Sequence, residues 1–216
     1  MSILQNITHV QERIGTAARR AKRDPSEITL IAVSKTFAPE LVREAYAAGL
    51  RSFGENRVQE FTNKLESLKD LPDAEWHMIG HLQTNKAAKA VELFDAIDSL
   101  DSLRLAEKLN LAAEQLGKKL AVLIEINVGG EAAKTGIAAD SRELEDILQA
   151  APGLNNLEIR GLMTVPPFTK NPEGARPFFQ KLRTLRGKVV ERHLPNISMG
   201  VLSMGMSHDF EVAIEE

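Results

Sequence analysis

No cysteine occurs in the sequence, which removes disulfides, thiolate metal sites and cysteine nucleophiles. No apolar run approaches the roughly 20 residues of a membrane span. The N-terminal stretch "MSILQNITHVQERIG" is polar and charged within its first turns, unlike a signal peptide. There is no basic block and no acidic tail. The formal net charge of −3 argues against a general nucleic-acid binder, which is usually basic. The expectation is a cytoplasmic protein with neither nucleic acid nor a membrane as partner. What is present suits a globular chain: 216 residues, 43% hydrophobic and 26% charged, enough to bury a real core. No linker or shift in composition divides it, so residues 1–216 are read as one domain.

Apolar residues at helical spacing from Leu4 to Ala21 predict an amphipathic helix over 3–22, broken by "RDPSE". A rhythm of short apolar runs and helical stretches follows. The runs are 28–33, 51–54, 76–80, 95–100, 121–128, 158–165 and 200–206. Helical stretches begin near Pro39, Asn56, Thr84, Ser102, Asp140, Glu173 and His208. The fifth and sixth runs are continuously apolar and rich in β-branched residues, as strands buried on both faces are. This alternation predicts parallel strands joined by crossover helices. No glycine-rich fingerprint follows the first strand, where a dinucleotide fold would carry one. Two α/β architectures remain: an open sheet of seven parallel strands, and a (β/α)8 TIM-type barrel with an extra N-terminal helix, which needs eight units. Only seven units are counted, so an eighth is expected to be missing from this chain.

In such a barrel, chemistry sits at the carboxyl ends of the strands. The first run, "ITLIAV", leads into Ser34 and Lys35. An ammonium at a partly dry strand end pays for desolvation and its pKa falls; a neutral amine then attacks carbonyls to form a Schiff base. The plainer alternative is a lysine that snorkels to solvent. "SMGMS", Ser203 to Ser207, sets two hydroxyls around Gly205 where a strand turns into a helix, as in an anion site or as in an ordinary cap by Ser207 or Asp209. "FGEN" presents Asn56 either to a ligand or to a simple turn. His77 and His81 are four apart, but Gly80 intervenes and the segment reads as strand, so a zinc pair is rejected. His77 reads as a satisfied core residue, and "NVGGEAAKTG" as a rim loop.

Taken together, "VSKTF", "FGENRVQE", "WHMIGHLQTNK", "KTGI", "RGLMTV" and "LSMGMSHDFEVAIE" resemble the pyridoxal phosphate homeostasis protein family, whose members are similar to the barrel domain of alanine racemase. The resemblance implies a single barrel holding pyridoxal 5'-phosphate (PLP). It places the Schiff-base lysine at Lys35 and part of the phosphate site at Ser203, Gly205 and Ser207. Asn56 would lie against the ring face and Met163 would line the other side. Family members usually continue into an eighth strand with an Arg-x-Gly-Thr motif, which nothing here matches. His208 stands where an acidic residue is common.

Three functions follow. The first is a monomeric PLP carrier without robust catalysis that keeps the cofactor in balance, with PLP-dependent apoenzymes as recipients. The second is a PLP-dependent amino-acid racemase or related enzyme. A two-base racemase of similar fold needs a tyrosine opposite the lysine, and the single tyrosine, Tyr46, lies in "EAYAAG" of the first crossover helix, where packing is the expected role. The third is a cofactor-free Schiff-base aldolase. The first accounts best for the sequence.

Overall fold

The computed structural model describes residues 2–131 and 135–216. Seven strands alternate with helices. The strands are β1 (Ala32–Val33), β2 (Ser52–Glu55), β3 (Glu75–Met78), β4 (Ala96–Leu100), β5 (Leu120–Glu125), β6 (Leu157–Met163) and β7 (Ile197–Ser203). Helix α1 (Ile3–Arg20) precedes them. The others follow one strand each: α2 (Pro39–Ala47), α3 (Val58–Leu65), α4 (Ala87–Leu93), α5 (Leu103–Gln115), α6 (Arg142–Ala150), α7 (Arg176–Val190) and α8 (Phe210–Glu215). Every strand runs parallel to its predecessor, in the order β1-β2-β3-β4-β5-β6-β7. An open doubly wound sheet reverses its strand order at a switch point. Here the order never reverses, which is the winding of a TIM-type α/β barrel. Among the described residues no ladder joins β7 to β1, and the two strands border a seam. Val33 and Val201, one on each side, are both 43% exposed.

The main core lies between the sheet and its helices, as it must when both faces of a parallel sheet are covered. Phe53 of β2, Phe61 of α3, Trp76 of β3 and Phe94 form a chain of ring contacts with centroids 4.7–5.2 Å apart. The fifth and sixth strands are almost wholly buried, as their composition predicts.

The edges of the sheet depart from expectation. The run 28–33 predicts a full buried strand, yet only Ala32 and Val33 pair, and they pair with β2 alone. With one neighbour instead of two, residues 28–31 stay outside the ladder, and they are partly or fully exposed. β7 begins three residues before the expected position 200, directly after Asn196 in the left-handed region at φ +62°. α1 ends at Arg20 and not at residue 22, because Lys22 at φ +56° turns the chain away.

α1 starts on a capping box formed by Ser2 and Gln5. It packs against both α2 and α8, the helices that follow β1 and β7. Ile14, Ala17 and Ala18 bury against Ile214. Arg13 bonds both carboxylate oxygens of Glu211 at 3.2 Å and lies over the Phe210 ring. The helical layer is thus clasped across the seam that the strands leave open. Among the described residues no helix is long and apolar enough to cross a membrane.

Candidate functional site

Because all seven strands are parallel, their carboxyl ends share one rim. Lys35, Asn56, Met163, Ser203, Gly205 and Ser207 all stand there, on or just after the ends of β1, β2, β6 and β7. No hydrogen bond joins Lys35 to any other of the six.

Lys35 follows β1 in a turn closed by Phe37 N–H donating to the Ser34 carbonyl at 3.1 Å. The side chain is exposed and makes no hydrogen bond or ion pair with a described residue. This corrects the dry environment expected for it: β1 is a seam strand with nothing paired on its far side, so no wall desolvates the amine. The next residue, Thr36, sits at φ +68°, an uncommon conformation for a β-branched residue.

Behind Lys35 is a buried polar network that the sequence did not reveal. Ser34 donates its hydroxyl to Glu55 Oε1 at 2.8 Å, and Lys64 Nζ donates to the same oxygen at 2.7 Å. Lys64 also donates to the Ser34 carbonyl at 2.9 Å. The signal was an acid closing a buried strand in "FGEN", with a lysine nine residues on and one helix away. Nothing in the spacing alone says that the two meet.

Asn56 is half-buried, and its Oδ1 is buried without a hydrogen-bond partner. Gly80, at the end of β3, is obligatory here: a Cβ on it would fall 2.5 Å from the Asn56 carbonyl oxygen. Met163 ends β6, is buried, and pairs in register with Glu125 on one side and Ser203 on the other. It lies outside the helix-facing core cluster that takes its neighbour Leu162, so it is aimed at the barrel interior by strand alternation.

Ser203 is half-buried and Ser207 is exposed; neither hydroxyl bonds a described residue. Between them Gly205 adopts φ +95°, and a Cβ on it would lie 2.9 Å from both Phe210 Cα and Ala213 Cβ. The cap expected from Ser207 or Asp209 takes a different form. Asp209 occupies the N-cap position without bonding into α8; it accepts instead from Met206 N–H at 2.6 Å, closing the turn on itself. His208 places its ring 4.9 Å from that of Phe168, which is 76% exposed.

The middle of the rim and the barrel interior carry three further polar pairs. His77 Nδ1 lies 3.2 Å from Asp98 Oδ1, His81 Nδ1 lies 2.8 Å from Asp101 Oδ2, and Thr135 donates to Glu125 at 2.6 Å. The two histidines therefore go to separate carboxylates. In the expected rim loop, Gly130 N–H donates to Asn127 Oδ1, and residues 132–134, including Lys134 of "KTGI", lie outside the described residues. Burial pushes the Glu125 carboxyl up, and the Thr135 bond only partly opposes it. For His77, burial acts downward, but the bond to Asp98 and the charges of Asp98, Glu75 and Asp95 outweigh it and raise the imidazole above its ordinary value of 6.5. The pair contributes fully below pH 6.5, and its contribution is lost as pH rises through the raised folded-state value. Asp98→Asn should bring the His77 midpoint down, as read by an NMR titration of its ring proton. An unchanged midpoint would show that the pair does not form.

Tyr46 lies on α2, half-buried against the core, with the Arg51 guanidinium 4.0 Å from its ring centre, a packed position as expected.

Residues 5–215 match the family described as alanine racemase, N-terminal domain. The pyridoxal phosphate homeostasis protein of Aquifex aeolicus is 46% identical over 216 residues, covering 100% of this chain and 92% of that one. The solved structure of PipY from Synechococcus elongatus, with PLP bound, is 39% identical, covers 95% of this chain and 92% of its own, and superposes with a TM-score of 0.80. Alanine racemase of Clostridium difficile shares the fold at 17% identity and a TM-score of 0.71, with 97% of this chain covering 52% of that enzyme. By sequence along its whole length and by fold, the chain belongs to the pyridoxal phosphate homeostasis protein family, built on the alanine racemase N-terminal domain.

Proposed function

We propose that this chain binds PLP as a Schiff base on Lys35 and serves in PLP homeostasis without robust catalysis, as a cytoplasmic monomer with PLP-dependent apoenzymes as recipients. The observation that carries the reading is PipY, which holds PLP and is 39% identical over 95% of this chain. The residues present fit the cofactor. Lys35 offers an exposed amine with no competing bond. Asn56 has a buried oxygen without a partner. The 203–207 turn offers two free hydroxyls and a glycine whose missing Cβ lets the backbone close up.

When bound, PLP supplies an aldehyde whose oxygen leaves as water when an amine nitrogen takes its place, and an aromatic ring that acts as an electron sink. The chain's own groups then divide the work. Lys35 provides the amine, and Ser203 and Ser207, with the backbone around Gly205, hold an anionic group. Met163 and Asn56 would line opposite faces of a bound ring, Met163 with a buried apolar surface and Asn56 with its unpartnered oxygen. The racemase alternative has less support. Tyr46 is packed on a crossover helix under Arg51, away from the rim where a second base would have to stand.

The test is a titration of the purified chain with PLP. A visible band and, after borohydride reduction, one pyridoxyl phosphate per chain by intact mass are expected. Amino-acid racemisation with PLP present should stay near the level of free cofactor. A solution that develops no band overturns the binding reading; sustained racemisation replaces it with the enzyme.

A further inference from the structure

We infer that Glu55 and Lys64 are positioning residues for Lys35, an inference that rests on reading Lys35 as the PLP amine. All three polar groups of Ser34, the residue before Lys35, are held from outside β1. Its N–H donates to the Gly54 carbonyl at 2.9 Å, its hydroxyl to Glu55 Oε1 at 2.8 Å, and its carbonyl accepts from Lys64 Nζ at 2.9 Å. Lys64 reaches in from the last turn of α3 and joins Glu55 at 2.7 Å. β1 pairs over only two residues and has one neighbour, so its ladder fixes Lys35 weakly. The Ser34–Glu55–Lys64 clamp supplies the anchorage that the seam strand lacks.

Two features separate this clamp from ordinary packing. Glu55 is 0% exposed, and its second oxygen, Oε2, is buried with no hydrogen-bond partner. A buried ion pair left half-satisfied is a poor way to gain stability, since an apolar pair of the same volume often does better. The clamp also grips the peptide directly before Lys35, and Thr36 directly after it lies in the left-handed region at φ +68°. The root of the Lys35 side chain is therefore fixed from the Ser34 side. An otherwise free, exposed lysine keeps its rotamer freedom until it reacts. Fixing its root shortens the search for the geometry in which nitrogen meets carbonyl carbon.

The experiment compares two ligands on the full chain: PLP, and pyridoxine 5'-phosphate, which carries an alcohol in place of the aldehyde. Stopped-flow absorbance gives the rate at which the PLP band rises, and calorimetry gives the affinity for the alcohol. In the double variant Glu55→Gln/Lys64→Met, which removes both buried charges together, the band should rise about tenfold more slowly. Affinity for pyridoxine 5'-phosphate should stay within about twofold. An unchanged rate overturns the inference. So does a parallel loss of rate and alcohol affinity, which would mean general damage to the site. If circular dichroism shows that the double variant has not folded, the single change Glu55→Gln decides: a rate about threefold lower with alcohol affinity kept supports positioning, and an unchanged rate overturns it. Absence of any band in the wild-type chain would instead sink the reading of Lys35 itself, so the two failures are distinct.

Discussion

Lys35→Ala is expected to leave no reducible pyridoxyl adduct and no visible band, while the protein melts within about 2 °C of wild type. The first half follows from the chemistry: without the amine at the end of β1, the aldehyde has no partner there. The second half follows from the surroundings. Lys35 is exposed and bonds no described residue, and exposed substitutions away from special features shift stability by at most about 0.5 kcal/mol, or about 1–2 °C for a chain of this size. Borohydride reduction followed by peptide mapping checks it. A persistent adduct would move the imine to another lysine. Lys64 is the neighbour to watch, but its amine is spent on Glu55 and the Ser34 carbonyl.

Gly205→Ala is expected to damage both the fold and the anion turn. A side chain at φ +95° pays about 1–2 kcal/mol for the left-handed backbone. The added methyl would then meet Phe210 Cα and Ala213 Cβ at 2.9 Å, and overpacking of this kind costs about 1–3 kcal/mol. The sum, about 2–5 kcal/mol, corresponds to a fall in melting temperature of about 4–20 °C. Because α8 is pushed off the turn that Asp209 closes onto Met206, phosphate-bearing ligands should be lost as well. Thermal melting with and without pyridoxine 5'-phosphate reads both effects. A variant that melts with wild type would show that the turn relaxes freely and that Gly205 is not the fixed point of the site.

Much of the architecture was legible because burial writes itself into sequence. Leu120–Glu125 and Leu157–Met163 are covered on both faces, and their unbroken apolar runs said so. Pro39 at the start of α2 and Ser102 as the cap of α5 marked helix starts directly. Thr84 and Glu173 fell instead on short 3₁₀ turns, Thr84–Lys86 and Pro172–Ala175, that lead into α4 and α7. Strand extent was misread where neighbours decide it. The run 28–33 has strand composition, but a ladder needs a partner, and only two of its residues have one. Among site residues, Lys35, Asn56 and Gly205 could be placed at the rim from the order of runs and turns. The Glu55–Lys64 pair could not, because it depends on the side chain of α3 turning back beneath β1. Nor could His77–Asp98, whose partners come from adjacent strands 21 residues apart.

The α1–α8 clasp also bears on how the molecule forms. Arg13 and Glu211 are separated by 198 positions, so this contact belongs to the slowest class of closures, those that unite distant parts of a polypeptide. During synthesis the βα repeats can accrete one upon another, each on a neighbour already made. The stripe of Ile14, Ala17 and Ala18 meets Ile28 and Leu30 early, but its cluster is completed by Phe210 and Ile214. A helix made before every strand is therefore among the last to settle fully.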